Sequence, residues 1–239
     1  MPLKTEAGAH LVWLTIILTS PVSLTAQDGE EPLKWDNQLF LGNKVAAVKG
    51  NWKYSGELQV RLKENSQTLD RWFLEGVATY MPSRHWEIVP DYRFSIKPAN
   101  IEHRPGLGIL RKDLFGPEES QRHQLVHQLK WQADIGPEYV NHGIRYVFFY
   151  NYILNEQLIP NAAAGVFYRW SEGFTGLQFI RLGAGLAYVI DIKHSLNFSY
   201  FLGITDTGAG WTYQGIPFVQ LIININRDYK YVPAKYINF

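Results

Sequence analysis

The sequence predicts an all-β fold, an antiparallel up-and-down transmembrane β-barrel. Apolar and polar residues alternate along runs of about ten residues, the links between most runs are short, and the chain begins with a segment typical of a secretion signal. Alternation with a period of two gives a strand one apolar and one polar face. Outer-membrane barrels show this pattern because their outer face contacts lipid while their inner face is polar.

Residues 1–26 have the features of a signal peptide. Lys4 supplies a positive charge, residues 11–18 form an apolar core, and Ala26 stands at the expected cleavage position. The apolar core is too short for a comfortable transmembrane helix, so an uncleaved anchor is the less favoured alternative. We therefore expect residues 27–239 to form a single outer-membrane β-barrel domain, and the terminal Phe239 fits that class.

The clearest strand covers residues 52–62. Its even positions, from Trp52 to Leu62, are apolar or small, whereas its odd positions, among them Glu57 and Arg61, are polar. Nine further segments alternate in a similar way. The ten strands predicted on this basis cover residues 35–45, 52–62, 70–80, 86–96, 124–135, 143–154, 162–170, 180–190, 196–204 and 217–225. Because short links join neighbours, we expect antiparallel hairpins.

Two segments are less regular. Residues 98–119 contain Pro105, Gly106 and Gly108, and we interpret them as one long loop or as a loop that holds a short strand at 107–111. Residues 231–239 are a weak candidate for a final strand. Because bacterial barrels prefer even strand numbers, ten strands are favoured, with twelve as the alternative.

The inner faces of the predicted strands carry charges of both signs. We expect these side chains to form a lumenal charge cluster that consists of Glu57, Arg61, Arg71, Glu75, Asp91, Arg93, Arg145, Arg169 and Arg181. In a narrow barrel, opposite charges on neighbouring strands can interlock, so a structural network is the favoured role. A polar passage or a lumenal binding site is the alternative.

Composition restricts the remaining function classes. The formal net charge of +1 gives no electrostatic argument for nucleic acid as a partner. The chain has no cysteine, so a disulfide or a thiolate metal site is impossible. His194 and Ser195 are adjacent on a strand and therefore point to opposite faces, which argues against a nucleophile–base pair. We expect no enzymatic activity, no catalytic or metal-binding residues and no cofactor.

Four short motifs are shared with a known group of proteins. They are ELQVR at 57–61, LDRWF at 69–73, DYRF at 91–94 and GIRY at 143–146. In these motifs the chain resembles a Bacteroidota family of small outer-membrane β-barrels known only as a domain of unknown function. The resemblance covers about residues 35–226. It implies a Gram-negative outer-membrane protein and no catalytic residues.

Together these features predict a protein of the outer membrane, reached through secretion across the inner membrane. Its expected role is structural or one of small-solute permeability. The alternative is a subunit or accessory barrel of a larger outer-membrane complex, and a lipid-modifying barrel enzyme is a second alternative. The expected partners are the lipid bilayer of the outer membrane and possible protein partners, but not nucleic acid.

Overall fold

The computed structural model describes residues 34–116, 121–206, 208, 210–226 and 228–236. The predicted signal peptide at 1–26 and the terminal Phe239 lie outside the described residues. No helix in the described ranges could span a membrane.

The secondary structure of the described residues consists of strands joined by short turns. They are β1 (Trp35–Asn37), β2 (Leu39–Gly50), β3 (Trp52–Lys63), β4 (Thr68–Tyr80), β5 (Trp86–Ile96), β6 (Ile101–Phe115), β7 (His123–Ile135), β8 (Val140–Tyr152), β9 (Leu158–Ser171), β10 (Phe174–Val189), β11 (His194–Asp206), β12 (Trp211–Asn224) and β13 (Asp228–Tyr229). The long strands, β2 to β12, have 11 to 16 residues. That length is enough to cross a bilayer, which takes about 9–11 tilted residues.

The strands form one closed barrel. Neighbours from β2 to β12 pair antiparallel in chain order, and β12 then pairs with β2 in parallel, from Phe218 opposite Phe40 to Asn224 opposite Ala46. The short β1 extends the same seam, since Trp35 pairs in parallel with Tyr213. The expected all-β, antiparallel barrel is confirmed.

The number of long strands in the described part of the chain is eleven, not the ten or twelve favoured from sequence. Each hairpin reverses the direction of the chain, so the first and last of eleven strands run the same way. The seam between them must therefore be parallel, unlike every other pairing between the long strands.

The additional strand is β6, which lies where the sequence suggested a loop. It covers 15 residues, so the expectation of a long loop over 98–119 is wrong, and the alternative of a short strand at 107–111 captured only its centre. Pro105 lacks a backbone N–H, and the β6–β7 pairing skips from His103–Ile135 to Gly106–Gln132 without a change of register. The proline therefore interrupts one ladder but does not end the strand.

The barrel has an apolar outside and a polar inside. On β3, Glu57 and Gln59 are buried in the lumen, whereas Leu58 is exposed on the outer surface, as the alternation predicted. Polar rings on the outer surface are paired across strands: His123 Nδ1 lies 2.7 Å from the Tyr150 hydroxyl, and His127 Nδ1 lies 2.7 Å from the Tyr146 hydroxyl. These pairs satisfy polar atoms on a surface that otherwise offers few partners.

Candidate functional site: the barrel lumen

The lumen has three parts along its axis. The first is a polar cavity of about 370 Å³ at the end that carries the turns at 64–67 and 136–139, which we name the vestibule. The second is a set of ion pairs at mid-height, the central belt. The third is the plug segment, residues 231–236, whose backbone and side chains contact lumenal residues near the opposite end.

Four residues, on the adjacent strands β4 and β5 and on β7, form the core of the central belt. Glu75 is fully buried, and its carboxylate lies 3.1 Å from Arg93 Nη2 and 3.7 Å from Lys130 Nζ. Lys130 Nζ also lies 2.6 Å from Asp91 Oδ1. The β4–β5 register causes this arrangement, because it places Glu75 directly opposite Arg93.

The belt continues around the wall on both sides. Lys44 Nζ lies 3.7 Å from Glu57 Oε2, and Glu57 stands opposite Glu75 in the β3–β4 register. On the other side, the buried Arg145 stands opposite Lys130 in the β7–β8 register. Glu57 and Glu75, which face each other across β3 and β4, thus each have at least one cation beside them. Buried charges in such a network are expensive to leave unpaired, so we expect the loss of one member to destabilise the barrel.

Aromatic rings hold the guanidinium groups in place. The Arg93 guanidinium stands 3.7 Å from the centroid of the Phe73 ring, and the Arg61 guanidinium stands 4.2 Å from that of Phe40. Arginine stacks on aromatic faces through cation–π attraction, which restricts its motion without using its N–H donors.

Each carboxylate of the vestibule has a cationic partner. Asp70 Oδ2 lies 2.7 Å from Arg71 Nε, and Asp134 Oδ2 lies 2.9 Å from Arg169 Nη2. Glu102 is similarly held, with Lys97 Nζ 2.6 Å from its Oε2.

At the rim, the Tyr139 hydroxyl donates a hydrogen bond of 2.8 Å to Glu102. Partial burial and the nearby carboxylate disfavour the phenolate and raise the pKa of Tyr139 to about 12. Tyr139 therefore stays a hydrogen-bond donor at every physiological pH.

The plug segment is held by hydrogen bonds to buried side chains. The Ala234 N–H donates to Glu87 Oε1 at 2.6 Å, and Lys112 Nζ donates to both Glu87 Oε1 and the Val232 carbonyl. The Lys235 N–H donates to Gln124 Oε1 at 3.1 Å. The weak expectation of a final strand at 231–239 is wrong for the described residues 231–236, because their backbone groups bond to lumenal side chains and form no ladder.

Cations and an aromatic ring surround the end of the plug segment. The Tyr236 ring packs against Phe149 with centroids 6.3 Å apart, and Lys44 and Lys53 stand 5.3 and 5.9 Å from its centroid. The plug segment thus joins the central belt from the side opposite the vestibule.

All nine residues of the predicted lumenal charge cluster lie on the inner wall. Seven are buried, and Arg71 and Arg169 are partly exposed at the vestibule. The structure places Glu57, Glu75, Asp91, Arg93 and Arg145 in or beside the central belt. Arg61, Arg71, Arg169 and Arg181 line the vestibule, which Arg93 also reaches. Whether the cluster has a structural role stays a prediction.

Sequence reasoning missed the charged residues of β6. Glu102, Arg104 and Lys112 all face the lumen, but the proline and glycines of this segment favour a loop in the sequence-based prediction. Their even spacing, with Leu107, Ile109 and Arg111 at odd positions, is a period-two signal that Pro105 and two glycines obscured. No described group of three or more histidine or acidic residues could hold a metal ion.

A larger concavity, of about 650 Å³, opens at the apolar outer surface of β2 to β5. Gly56, Gly76 and Ala78 lie along it, with Tyr54 and Tyr92 beside them. It lies on the outer side of the barrel wall, and its surface is almost wholly apolar. The polar chemistry of this protein therefore lies in the lumen.

Known proteins similar to this chain include two porins. The structure described as "NanC porin structure in rhombohedral crystal form" has 7% sequence identity and a TM-score of 0.47, with 71% of this chain and 87% of that chain covered. The "KdgM porin in complex with disordered oligogalacturonate" has 12% identity and a TM-score of 0.44, with 70% and 88% covered. No curated protein matches the chain.

The model of one protein family matches most of the chain. It covers residues 37–214, which include all four motifs noted in the sequence, and so confirms the resemblance to a domain of unknown function. The chain belongs to the family described as "Protein of unknown function (DUF2490)".

Proposed function

We propose that this protein is an outer-membrane β-barrel that gives small solutes a restricted passage, with the plug segment as its closure. The observation that carries the membrane location is the outer surface. Large apolar side chains are exposed around the whole closed sheet, among them Leu58, Leu107, Leu129, Leu182 and Leu202. Soluble monomers rarely expose such continuous apolar surface, whereas a bilayer requires it.

The closed sheet supports the same proposal. In lipid, every backbone polar group must find a partner within the protein, and a barrel without edges meets that demand. Secretion would follow from residues 1–26 acting as a signal peptide, with residues 27–239 as the mature barrel domain.

The permeability role rests on the contrast between the two ends of the lumen. At one end the vestibule leaves about 370 Å³ of open space in the lumen. Near the other end the plug segment occupies the lumen and contacts Glu87, Lys112 and Gln124. These contacts are hydrogen bonds, so the plug segment can leave and return without a covalent change. The central belt would remain as the constriction that limits the size of the solute.

A substitution in the plug segment tests this proposal. Ala234 is 3% exposed, so the side chain of Ala234→Arg has no room and should displace the segment. Val232→Arg is the matched control, because Val232 is 49% exposed in the same segment. Both variants are first checked for outer-membrane fractionation and heat-modifiable gel mobility, and conductance is then measured in planar bilayers.

We expect low conductance for the unmodified protein and for Val232→Arg, and a clear increase for Ala234→Arg. Equal conductance of all three folded proteins would show that the plug segment does not close the barrel. Recovery of the folded protein from the soluble periplasm would refute the membrane location itself.

A further inference from the structure

We propose that the vestibule binds soluble oxyanions, that is, small solutes with carboxylate or phosphate groups, between Arg61 and Arg181. This inference deepens the proposed function, since it names the class of solute that enters the lumen. Its test measures binding and does not require passage, so the two proposals can fail separately.

The charge of the vestibule is strongly positive. Of the described residues, seven cationic side chains and three carboxylates line the cavity. Asp70 lies beside Arg71, Asp134 beside Arg169 and Arg104, and Glu102 beside Lys97 and Arg71. Arg93 reaches Glu75 in the central belt. These pairings account for every carboxylate of the cavity, and Arg61 and Arg181 are the two cations outside them.

Arg61 and Arg181 have no carboxylate oxygen within 4 Å among the described residues, although they are only 8% and 9% exposed. Arg61 Nε donates to the Gln59 amide oxygen at 2.5 Å, but Arg61 Nη2 is buried without a hydrogen-bond partner. Arg181 Nε is likewise buried without one. Unpaired buried charges are costly, and an oxyanion would supply the missing acceptors and the missing charge.

Aromatic rings preorganise both groups. Phe40 lies between them in the wall, with the Arg61 and Arg181 guanidinium groups 4.2 and 5.9 Å from its ring centroid. The centroid of the Phe179 ring stands 4.5 Å from the Arg181 guanidinium. Cation–π contact uses none of the N–H donors at the edges of these groups, and Arg61 Nη2 and Arg181 Nε have no hydrogen-bond partner. Those edges match the two oxygens of a carboxylate or a phosphate.

The size and position of the cavity indicate the source of the anion. A volume of about 370 Å³ falls within the range of small-molecule sites, about 300–1,000 Å³. Arg61 and Arg181 point into the lumen, and the barrel wall separates them from the surface that faces lipid. The occupant is therefore a solute that enters the lumen and not a lipid headgroup.

Thermal melting of the full chain in detergent tests the inference. The probes are inorganic phosphate and citrate, with glucose as a neutral comparison and the ionic strength held constant with KCl. The variants are Arg61→Gln and Arg181→Gln. The matched control is Arg111→Gln, whose side chain is 56% exposed on the outer surface.

We expect phosphate or citrate to raise the melting temperature saturably in the unmodified protein and in Arg111→Gln. Loss of one charged donor should weaken the apparent affinity about tenfold or more in Arg61→Gln and Arg181→Gln. Without ligand, Arg181→Gln should melt no lower than the unmodified protein, because the substitution removes an unpaired buried charge.

Three outcomes would overturn the inference. One is an equal response of all four proteins to both anions. Another is a response to glucose as large as that to the anions. The third is a lower ligand-free melting temperature of Arg181→Gln with unchanged anion affinity, which would make Arg181 a structural residue.

Discussion

Gly106 lies against the tightest ion pair of the central belt, and we predict that Gly106→Ala destabilises the barrel. A Cβ atom at this position would stand 2.7 Å from Lys130 Cε and 2.8 Å from Asp91 Oδ1. The same two side chains form the contact of 2.6 Å between Lys130 Nζ and Asp91 Oδ1. The added methyl group therefore forces them to move.

The geometry sets the size of the effect. Lys130 Cε must retreat by about 0.7 Å to restore ordinary van der Waals contact. This movement lengthens the hydrogen bond between Lys130 Nζ and Asp91 Oδ1 beyond the usual range. A hydrogen bond to a charged group contributes about 1.5–3 kcal/mol. Replacing glycine by alanine recovers about 0.4–1 kcal/mol through the lower entropy of the unfolded chain. We expect Gly106→Ala to lower the free energy of unfolding by roughly 1–2 kcal/mol.

Gly108→Ala is the matched control, two residues along the same face of β6. Its Cβ would stand 3.6 Å from the nearest atom, the Val89 carbonyl oxygen, which is ordinary contact. We expect unchanged or slightly higher stability. Urea unfolding in detergent micelles, followed by tryptophan fluorescence, measures both variants. Equal losses in the two variants would refute the role assigned to Gly106.

Two further predictions concern the outer surface and a turn. Leu74, 54% exposed, should face lipid, so Leu74→Arg should impair outer-membrane assembly by about 2–4 kcal/mol if it lies near the midplane, whereas Leu74→Met should assemble normally. In the turn after β10, hydrogen bonds from the His194 ring and from the Lys193 and His194 N–H groups lower the pKa of Asp191 to about 2. Because this pKa lies below the usual value near 4, the stabilisation is present above pH 4 and is lost as the pH falls toward 2. Stability measured from pH 5 to 2 should therefore fall less in Asp191→Ala, and parallel curves would contradict this.

Local alternation predicted which side chains face the lumen, but it did not predict which of them contact each other or how the plug segment enters the lumen. The inner positions of Glu57, Glu75 and Arg93 followed from a period of two, because the pleat alone decides which face a side chain takes. The pairing of Glu75 with Arg93 and Lys130 did not follow. The contact with Arg93 depends on the β4–β5 register, and the contact with Lys130 depends on the position of a strand that is not a neighbour of β4. Alternation fixes neither of them.

Irregular segments were the main source of error. Pro105, Gly106 and Gly108 interrupt the pattern of β6, so the segment was interpreted as a loop. The structure explains Gly106 by the space that Lys130 and Asp91 occupy, a tertiary cause that local propensity does not contain. The plug segment was interpreted as a weak strand for a similar reason, since its partners Glu87 and Gln124 are more than a hundred residues away.

The sequence by itself determined an all-β barrel, its apolar outer face and the charged residues of its inner wall, because these depend on local periodicity and composition. Tertiary contacts were needed to establish the eleven long strands of the described residues, the parallel seam between β2 and β12, and the entry of the plug segment into the lumen. They also separated the cations that have carboxylate partners from Arg61 and Arg181, which have no carboxylate oxygen within 4 Å in the part of the chain that the structure describes. The parallel seam and the contacts of the plug segment join distant parts of the chain, and only closure of the barrel brings those parts together.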